Sequence, residues 1–246
     1  MASEGEFPAG AILAALLVAL ALLAVALGGV DVSLAARVLS AFAAAGALAA
    51  SVVSARVLVK RGFLLDPLAG TALAYAVPGF ALASIGWALD AGGVEASLGP
   101  ITLSKLAWYS ASLLVMLAQW ELSRAARALA GITRAEVALA LGLPLAYGIP
   151  LALILLRRAA LMKAAEAAAS SLFLILSLLA LLPIRRRRYS WGLTLMTAGS
   201  AAFVTAVPLA GLVHPYPPLA NALYALSFVL AAAGIYIYGE EPVFLR

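Results

Sequence analysis

An all-α fold, a polytopic transmembrane helix bundle of about eight spans with both termini cytoplasmic, is what three observations predict. The chain is 65% hydrophobic and only 11% charged, whereas an ordinary soluble domain carries roughly 25% charged residues. Its apolar residues gather into eight runs, each near the roughly 20 residues that an α-helix needs to cross a bilayer core. Its basic residues lie in short clusters between those runs, where they act as topology signals. The eight spans fall near 9–29, 35–59, 68–89, 103–122, 135–156, 164–183, 191–213 and 219–238 of a single transmembrane domain covering 1–246, with no soluble domain expected.

The first run follows an acidic stretch with Glu4 and Glu6 and no basic side chain. A secretory signal needs a positive leading region, so this run reads as a retained helix. The second closes on Arg56, Lys60 and Arg61, and the third carries Pro78 near its middle. A Gly- and acid-containing loop from Asp90 to Leu103 is the longest connection. Beyond the fourth run, Arg124, Arg127 and Arg134 suggest a short surface helix. The fifth run contains Pro144 and Pro150, and the sixth begins after Arg157, Arg158 and Lys163. Four arginines at 185–188 precede the seventh. His214, Pro215, Tyr216, Pro217 and Pro218 then make a rigid turn, because proline fixes φ and restricts the residue before it. The eighth run ends at Glu240 and Glu241.

Orientation follows from the basic residues. With the N-terminus inside, eleven of them (Arg56, Lys60, Arg61, Arg124, Arg127, Arg134, the four at 185–188, and Arg246) are cytoplasmic. Five (Arg37, Lys105, Arg157, Arg158 and Lys163) are outside. The positive-inside rule therefore places both termini in the cytoplasm. The acidic N-terminus followed by Arg37 favours the opposite orientation for the first helix alone, and the run of four arginines, the hardest group to translocate, outweighs it. Trp87, Trp108, Tyr109 and Tyr216 fall near the expected outer face, and Trp120, Tyr189, Trp191, Tyr236 and Tyr238 near the inner one, as interfacial aromatic belts do.

Lipid tails are as apolar as Leu, so helices in a bilayer associate through close approach of small residues. The second run offers Ala43, Gly46, Ala47, Ala50 and Ser51, and the seventh offers Ala198, Ala202 and Ala206. The stretch Leu73-Ala74-Tyr75-Ala76-Val77-Pro78 is echoed by Leu145-Ala146-Tyr147-Gly148-Ile149-Pro150 and more briefly by Ala206-Val207-Pro208. A hairpin repeat of the transporter kind is one reading. Pro78, Pro150 and Pro208 are in any case candidate helix kinks.

Composition narrows the chemistry. The chain has no cysteine and one histidine, His214, so neither a thiolate nor a multi-histidine metal site is expected, and neither is a cofactor. Metalloprotease, serine-hydrolase and phosphate-loop motifs are missing from the sequence, and no catalytic residue is assigned. No ionisable residue falls at mid-span: Arg37, Arg56, Asp90, Glu121, Glu136 and Glu166 sit within a turn or two of a run's end, where snorkelling or local pairing accommodates them. Glu121 and Arg124 have the spacing of helix neighbours. The remaining polar groups form faces: Ser190, Thr194, Thr197 and Thr205 on the seventh run, and Asn221, Tyr224 and Ser227 on the eighth. Because a tight turn joins these runs, Thr205, His214, Asn221 and Tyr224 form a speculative ligand-binding set. The competing reading is that these groups hydrogen-bond between helices or to freed carbonyls. One Asn and one Gln in the whole chain are a depletion that points to a heat-loving source.

The stretch from Arg56 to Arg127 resembles the seven-helix sensor region at the N-terminus of some membrane histidine kinases. The residues that carry the resemblance are Lys60-Arg61, Trp87 with Asp90, Lys105, Tyr109 and Arg124. The chain departs from that pattern in its extra first helix and in lacking a kinase domain. The resemblance implies a sensing or docking module that signals through a separate protein.

The sequence thus points to an integral multi-pass protein of the plasma membrane, a non-catalytic sensor-like module or membrane-complex subunit. Its partners would be the lipid bilayer and another membrane or signalling protein, not nucleic acid. A small-solute transporter or channel is the alternative, and an enzyme ranks last. A reporter fused after Arg246 is expected to be active only if it needs the cytoplasm; activity confined to the opposite side would reverse the orientation.

Overall fold

The computed structural model describes residues 21–22, 28, 31–61, 66–99, 101–157, 161–187, 190–212 and 217–240. The first expected span therefore lies almost wholly outside the described residues. Seven long helices follow: α1 (Val32–Arg61), α2 (Pro67–Ala91), α3 (Leu103–Ala130), α4 (Arg134–Arg157), α5 (Leu161–Arg187), α6 (Trp191–Leu212) and α7 (Pro217–Glu240). Six of them, all but α3, are long and apolar enough to cross a membrane. They match the second, third and fifth to eighth apolar runs to within a few residues.

Caps fix most of the helix starts. Asp31 accepts hydrogen bonds from the Ser33 and Leu34 amides at 2.9 and 3.0 Å and from the Ser33 hydroxyl. These bonds, the Ser33 hydroxyl foremost, hold its carboxyl below the usual carboxylate range. Asp66 accepts from the Leu68 amide, with Pro67 at the first helical position, where its missing N–H costs nothing. Thr133 and Glu136 form a reciprocal capping box at α4, at 2.7 and 3.3 Å. The Ser190 hydroxyl accepts from the Leu193 amide at α6.

Two connections differ from expectation. Arg124 and Arg127 do not lie on a separate surface helix: α3 runs unbroken to Ala130 and stops at Gly131, whose φ of 66° ends it. Nothing between Leu122 and Ala130 can break a helix, since this stretch has neither Gly nor Pro. The expected loop after α2 contains a small antiparallel hairpin, β1 (Ser97–Leu98) and β2 (Ile101–Thr102). Gly99 sits in this hairpin with φ of 63°.

The helices form a ring. Each of α1–α2, α2–α3, α3–α5, α5–α6, α6–α7 and α7–α1 packs extensively, so six helices close on themselves. The seventh, α4, stands outside and packs mainly on α5. Its outward face exposes Leu139, Leu143, Ile149 and Leu153. The matching segments ending in Pro78 and Pro150 therefore occupy unlike places, one in the ring and one on its flank.

Ends can be matched by contact. Arg61 at the end of α1 pairs with Glu240 at the end of α7. Arg186 near the end of α5 donates to the Ala130 carbonyl at 2.7 Å and lies 3.7 Å from Glu136. These contacts join the C-terminal end of α1 to that of α7, and the C-terminal end of α5 to the end of α3 and the start of α4. Glu121 and Arg124 pair at 3.0 Å on α3, as their spacing suggests.

Close approach holds the ring together. The small-residue face of α1 is buried as expected, with Ala43, Gly46, Ala47, Ala50 and Ser51 all inside. A Cβ on Gly46 would lie 3.2 Å from Phe228 of α7. Ser51 donates to the Val77 carbonyl of α2 at 2.8 Å, one residue before Pro78. On α6 the expected small residues divide, Ala206 being fully buried and Ala198 exposed, and Gly192, Gly199 and Gly234 make the close contact between α6 and α7. A Cβ on Gly192 would sit 2.6 Å from the Tyr238 amide nitrogen and one on Gly199 2.8 Å from the Ser227 carbonyl oxygen. Backbone cannot yield there as a flexible side chain would. Gly192→Ala is expected to destabilise the bundle by about 1–3 kcal/mol, the usual range for overpacking, read as a lowered melting temperature in detergent. Gly142→Ala, which meets open space inside a helix, should not lower it.

Candidate functional site

A cavity of about 500 Å³ lies within the ring, lined by α2, α3, α5, α6 and α7. Neither α1 nor α4 contributes to its wall. The lining extends along α3 from Trp108 to Leu122, a rise of about 21 Å at 1.5 Å per residue. The cavity thus runs past several turns of that helix. Much of its wall is alanine, including Ala69, Ala72, Ala76, Ala83, Ala111 and Ala118. The small side chains that let helices approach leave their shared axis unfilled.

An aromatic row forms one part of this wall. Trp108 stacks against Trp87 at 4.5 Å between ring centroids, Trp87 against Tyr224 at 5.2 Å, Tyr224 against Phe203 at 5.1 Å, and Phe203 against Phe173 at 5.4 Å. These rings come from α2, α3, α5, α6 and α7, so the row ties together every helix that lines the cavity. Trp87 is only 4% exposed: its indole turns into the bundle. Tyr238, 3% exposed, likewise faces inward. Trp120 and Tyr236, each 46% exposed, keep the outward position expected of a belt. The Trp108 ring has room only because residue 86 is glycine; a Cβ there would overlap the indole.

Glu166 of α5 lines the cavity beside this row. Its carboxylate lies close to the Tyr109 hydroxyl and within electrostatic reach of Tyr224. Among the described residues lining the void it is the one that carries a formal charge. The sequence places Glu166 within a turn of its helix end, where a snorkelling role is the simpler reading. That the same end faces the bundle axis is information only packing supplies.

A polar node lies farther along. Gln119 donates to the Ser200 hydroxyl at 3.1 Å, Ser200 and Ser177 share a bond of 2.7 Å, and Thr197 reaches the Ser177 carbonyl at 3.4 Å. The node joins α3, α5 and α6 across the void. Two buried polar atoms in the cavity wall have no hydrogen-bond partner among the described residues: the acceptor Gln119 Oε1 and the donor Trp108 Nε1. Such orphans are uncommon in folded proteins. Gln119, the chain's one glutamine, was legible as an unusual residue inside a span, but its convergence with Ser177 and Ser200 was not.

The four residues singled out in the sequence separate. Asn221 and Tyr224 line the cavity, as does Ser227 on the same face. The Asn221 amide donates to the Ala36 carbonyl and the Ser40 hydroxyl of α1, both at 3.2 Å, so it also fastens α7 to α1. Thr205 is exposed, donates to the Ala201 carbonyl of its own helix at 2.8 Å, and does not join them. His214 lies outside the described residues. Thr194 and Thr197 also bond to carbonyls four residues back, at 2.7 and 2.8 Å. Pro78, Pro150 and Pro208 all lie inside helices that continue through them.

Comparison with family models, with curated proteins and with solved structures finds no match. Gly86→Ala is expected to displace the Trp108 ring and weaken the near-ultraviolet circular dichroism of the Trp87–Trp108 pair, with the far-ultraviolet helical signal retained. An unchanged near-ultraviolet spectrum would contradict the packing described.

Proposed function

We propose that this chain is a sensor-like, ligand-binding module of the plasma membrane: an eight-span bundle with both termini cytoplasmic, which takes a small, mainly apolar molecule into the axis of its helix ring. The cavity carries this reading. Small-molecule sites are concave, mostly apolar clefts of roughly 300–1,000 Å³ with a few placed polar groups, and a void of about 500 Å³ bounded by an aromatic row, a carboxylate and a hydroxyl–amide node fits that description.

The sensor-like part rests on two further points. Trp87 and Tyr109, two of the residues in the resemblance to histidine-kinase sensor regions, both line the cavity. The exposed apolar face of α4 lies on the flank of the ring, where a membrane partner would reach it without blocking the void. Transport is the second reading, favoured by one observation: α2 and α6, two walls of the cavity, each carry an internal proline, Pro78 and Pro208.

Purified full-length protein in lipid nanodiscs provides the test. A bromoalkyl probe, 8-bromo-1-octanol, should quench Trp87 and Trp108 saturably. Ala111→Phe, which places a ring in the void, should weaken that saturable component at least about tenfold, or 1.4 kcal/mol, with helical content retained. Quenching that rises linearly with probe in both proteins would refute a binding cavity. Protein-dependent flux into sealed vesicles of a solute that does not cross lipid unaided would favour transport over sensing.

A further inference from the structure

We infer that the seam between α3 and α5 is the entrance of this cavity, and that the occupant reaches it sideways from the bilayer as an uncharged, lipid-soluble molecule. The inference deepens the binding reading above and rests on it. Register, exposure and packing support it.

Three contacts align the two helices. The Tyr109 hydroxyl meets Glu166, Gln119 and Ser177 share Ser200, and the Ala130 carbonyl accepts from Arg186. Residue numbers rise together on both sides with a nearly constant offset, so α3 and α5 run parallel and side by side, with α4 as the crossover between them. Ser112 and Leu113 of α3 therefore stand level with Ala169 and Ser170 of α5.

Exposure locates a gap in this seam. Every described residue that α2 contributes to the cavity wall is buried, and only three lining residues of the described chain are exposed: Leu113, Ala165 and Ala210. Leu113 is 56% exposed although it stands ten residues beyond Leu103, where α3 begins, so no helix end accounts for its exposure. A side chain that lines the void and also lies open on the flank marks a break in the wall. Ala165 lies across the seam, and the break extends from its level to that of Leu113, about 7 Å along the helices at 1.5 Å per residue. The ends of the void are better closed: Trp87 and Tyr224 toward one end, and Ile235 and Tyr238 toward the other, are all buried. Ala210, near the end of α6, marks the competing opening, on the side of the bundle where water would supply the ligand.

Packing makes the same seam the one able to yield. Around the ring, α5 packs on α3 and on α6 less extensively than the other neighbours pack on one another. The α5–α6 side is tied by the Ser177–Ser200 bond and the Phe173–Phe203 contact. On the α3–α5 side the rim of the break is apolar, with Leu113, Met116, Ala165 and Ala169. A charged molecule would have to shed its water in hydrocarbon to arrive there, at high cost, whereas a lipid-soluble one is already dissolved beside it.

The chain has no cysteine, so introduced thiols are unique. Rapid mixing of full-length Leu113→Cys/Ala169→Cys in nanodiscs with 8-bromo-1-octanol reads the rate at which the saturable quenching of Trp87 and Trp108 develops. Bridging the two thiols with a bis-methanethiosulfonate should slow that rate at least about tenfold, as binding that waits on a conformational opening does, and keep the final amplitude. Reduction of the bridge should restore the rate. Leu113→Ala, which needs no bridge and removes bulk from the rim, should raise the rate about twofold or more.

A bridged protein that loads as fast as the reduced one overturns the seam as the entrance. If a bulky maleimide adduct on Ala210→Cys then slows loading, the occupant comes from water at the end of α6. An unchanged rate in Leu113→Ala overturns the seam as well, and this variant decides the matter where the bridged pair fails to fold or to load. Absence of saturable quenching before any bridge is formed defeats the binding reading itself.

Discussion

Hydrocarbon offers a polypeptide neither hydrogen-bond partners nor a hydrophobic force between helices, and this double constraint shapes the molecule. Backbone polar groups are satisfied inside each helix, and hydroxyl side chains turn back on the same backbone: Ser54 to Ala50, Ser170 and Ser171 to Ala167, Thr197 to Leu193, Ser227 to Tyr224. What remains for association is contact. It is supplied where side chains are smallest, at Gly46 against α7 and at Gly192, Gly199 and Gly234 between α6 and α7. A few interhelical bonds, from Ser51, Asn221 and Gln119, add about 0.6 kcal/mol each by membrane-protein averages.

Close approach has a geometric side effect. Two helices meeting through alanine pack well, but six helices in a ring meeting through alanine leave an axis that no side chain reaches. Larger residues, Leu73, Phe80, Met116 and Phe228 among them, line that axis without filling it, and the aromatic row near Glu166 and Gln119 give it its polar points. The cavity is thus a product of the residue type that makes the ring possible, and its polarity is set by the few side chains that interrupt the pattern. Placing α4 outside the ring keeps the axis lined by five helices and closed on its far side by α1, which bridges α2 and α7.

The sequence made the helices legible because length, apolarity and basic punctuation are local properties. Boundaries such as those of α2 and α7 follow from Asp66-Pro67 and from the prolines at 217 and 218, signals carried by two or three neighbouring residues. The extent of α3 was misjudged because arginines suggest a surface, while a helix ends only where a breaker such as Gly131 stands. The site was less legible. Helix-face reasoning brought Asn221, Tyr224 and Ser227 to one wall, while for Thr205 the competing reading of a hydroxyl bonded to a carbonyl holds, here that of Ala201 in its own helix. Trp87, Trp108 and Glu166 lay at helix ends where interfacial roles are the local expectation. Their convergence depends on which helices are neighbours in the ring, and no spacing within one helix encodes that.

The composition of α3 bears on how such a ring is assembled. Unlike its neighbours it is not apolar enough along its length to stand among the six membrane-crossing helices, and it carries Lys105, Glu121, Arg124 and Arg127. Yet it supplies Trp108, Tyr109 and Gln119 to the void. During synthesis a segment of this kind partitions poorly into lipid when it emerges from the ribosome alone. Its extensive packing on α2, to which the short β1–β2 hairpin joins it, offers this segment a protein surface in place of lipid, so the seat of α3 depends on the helix before it in the chain.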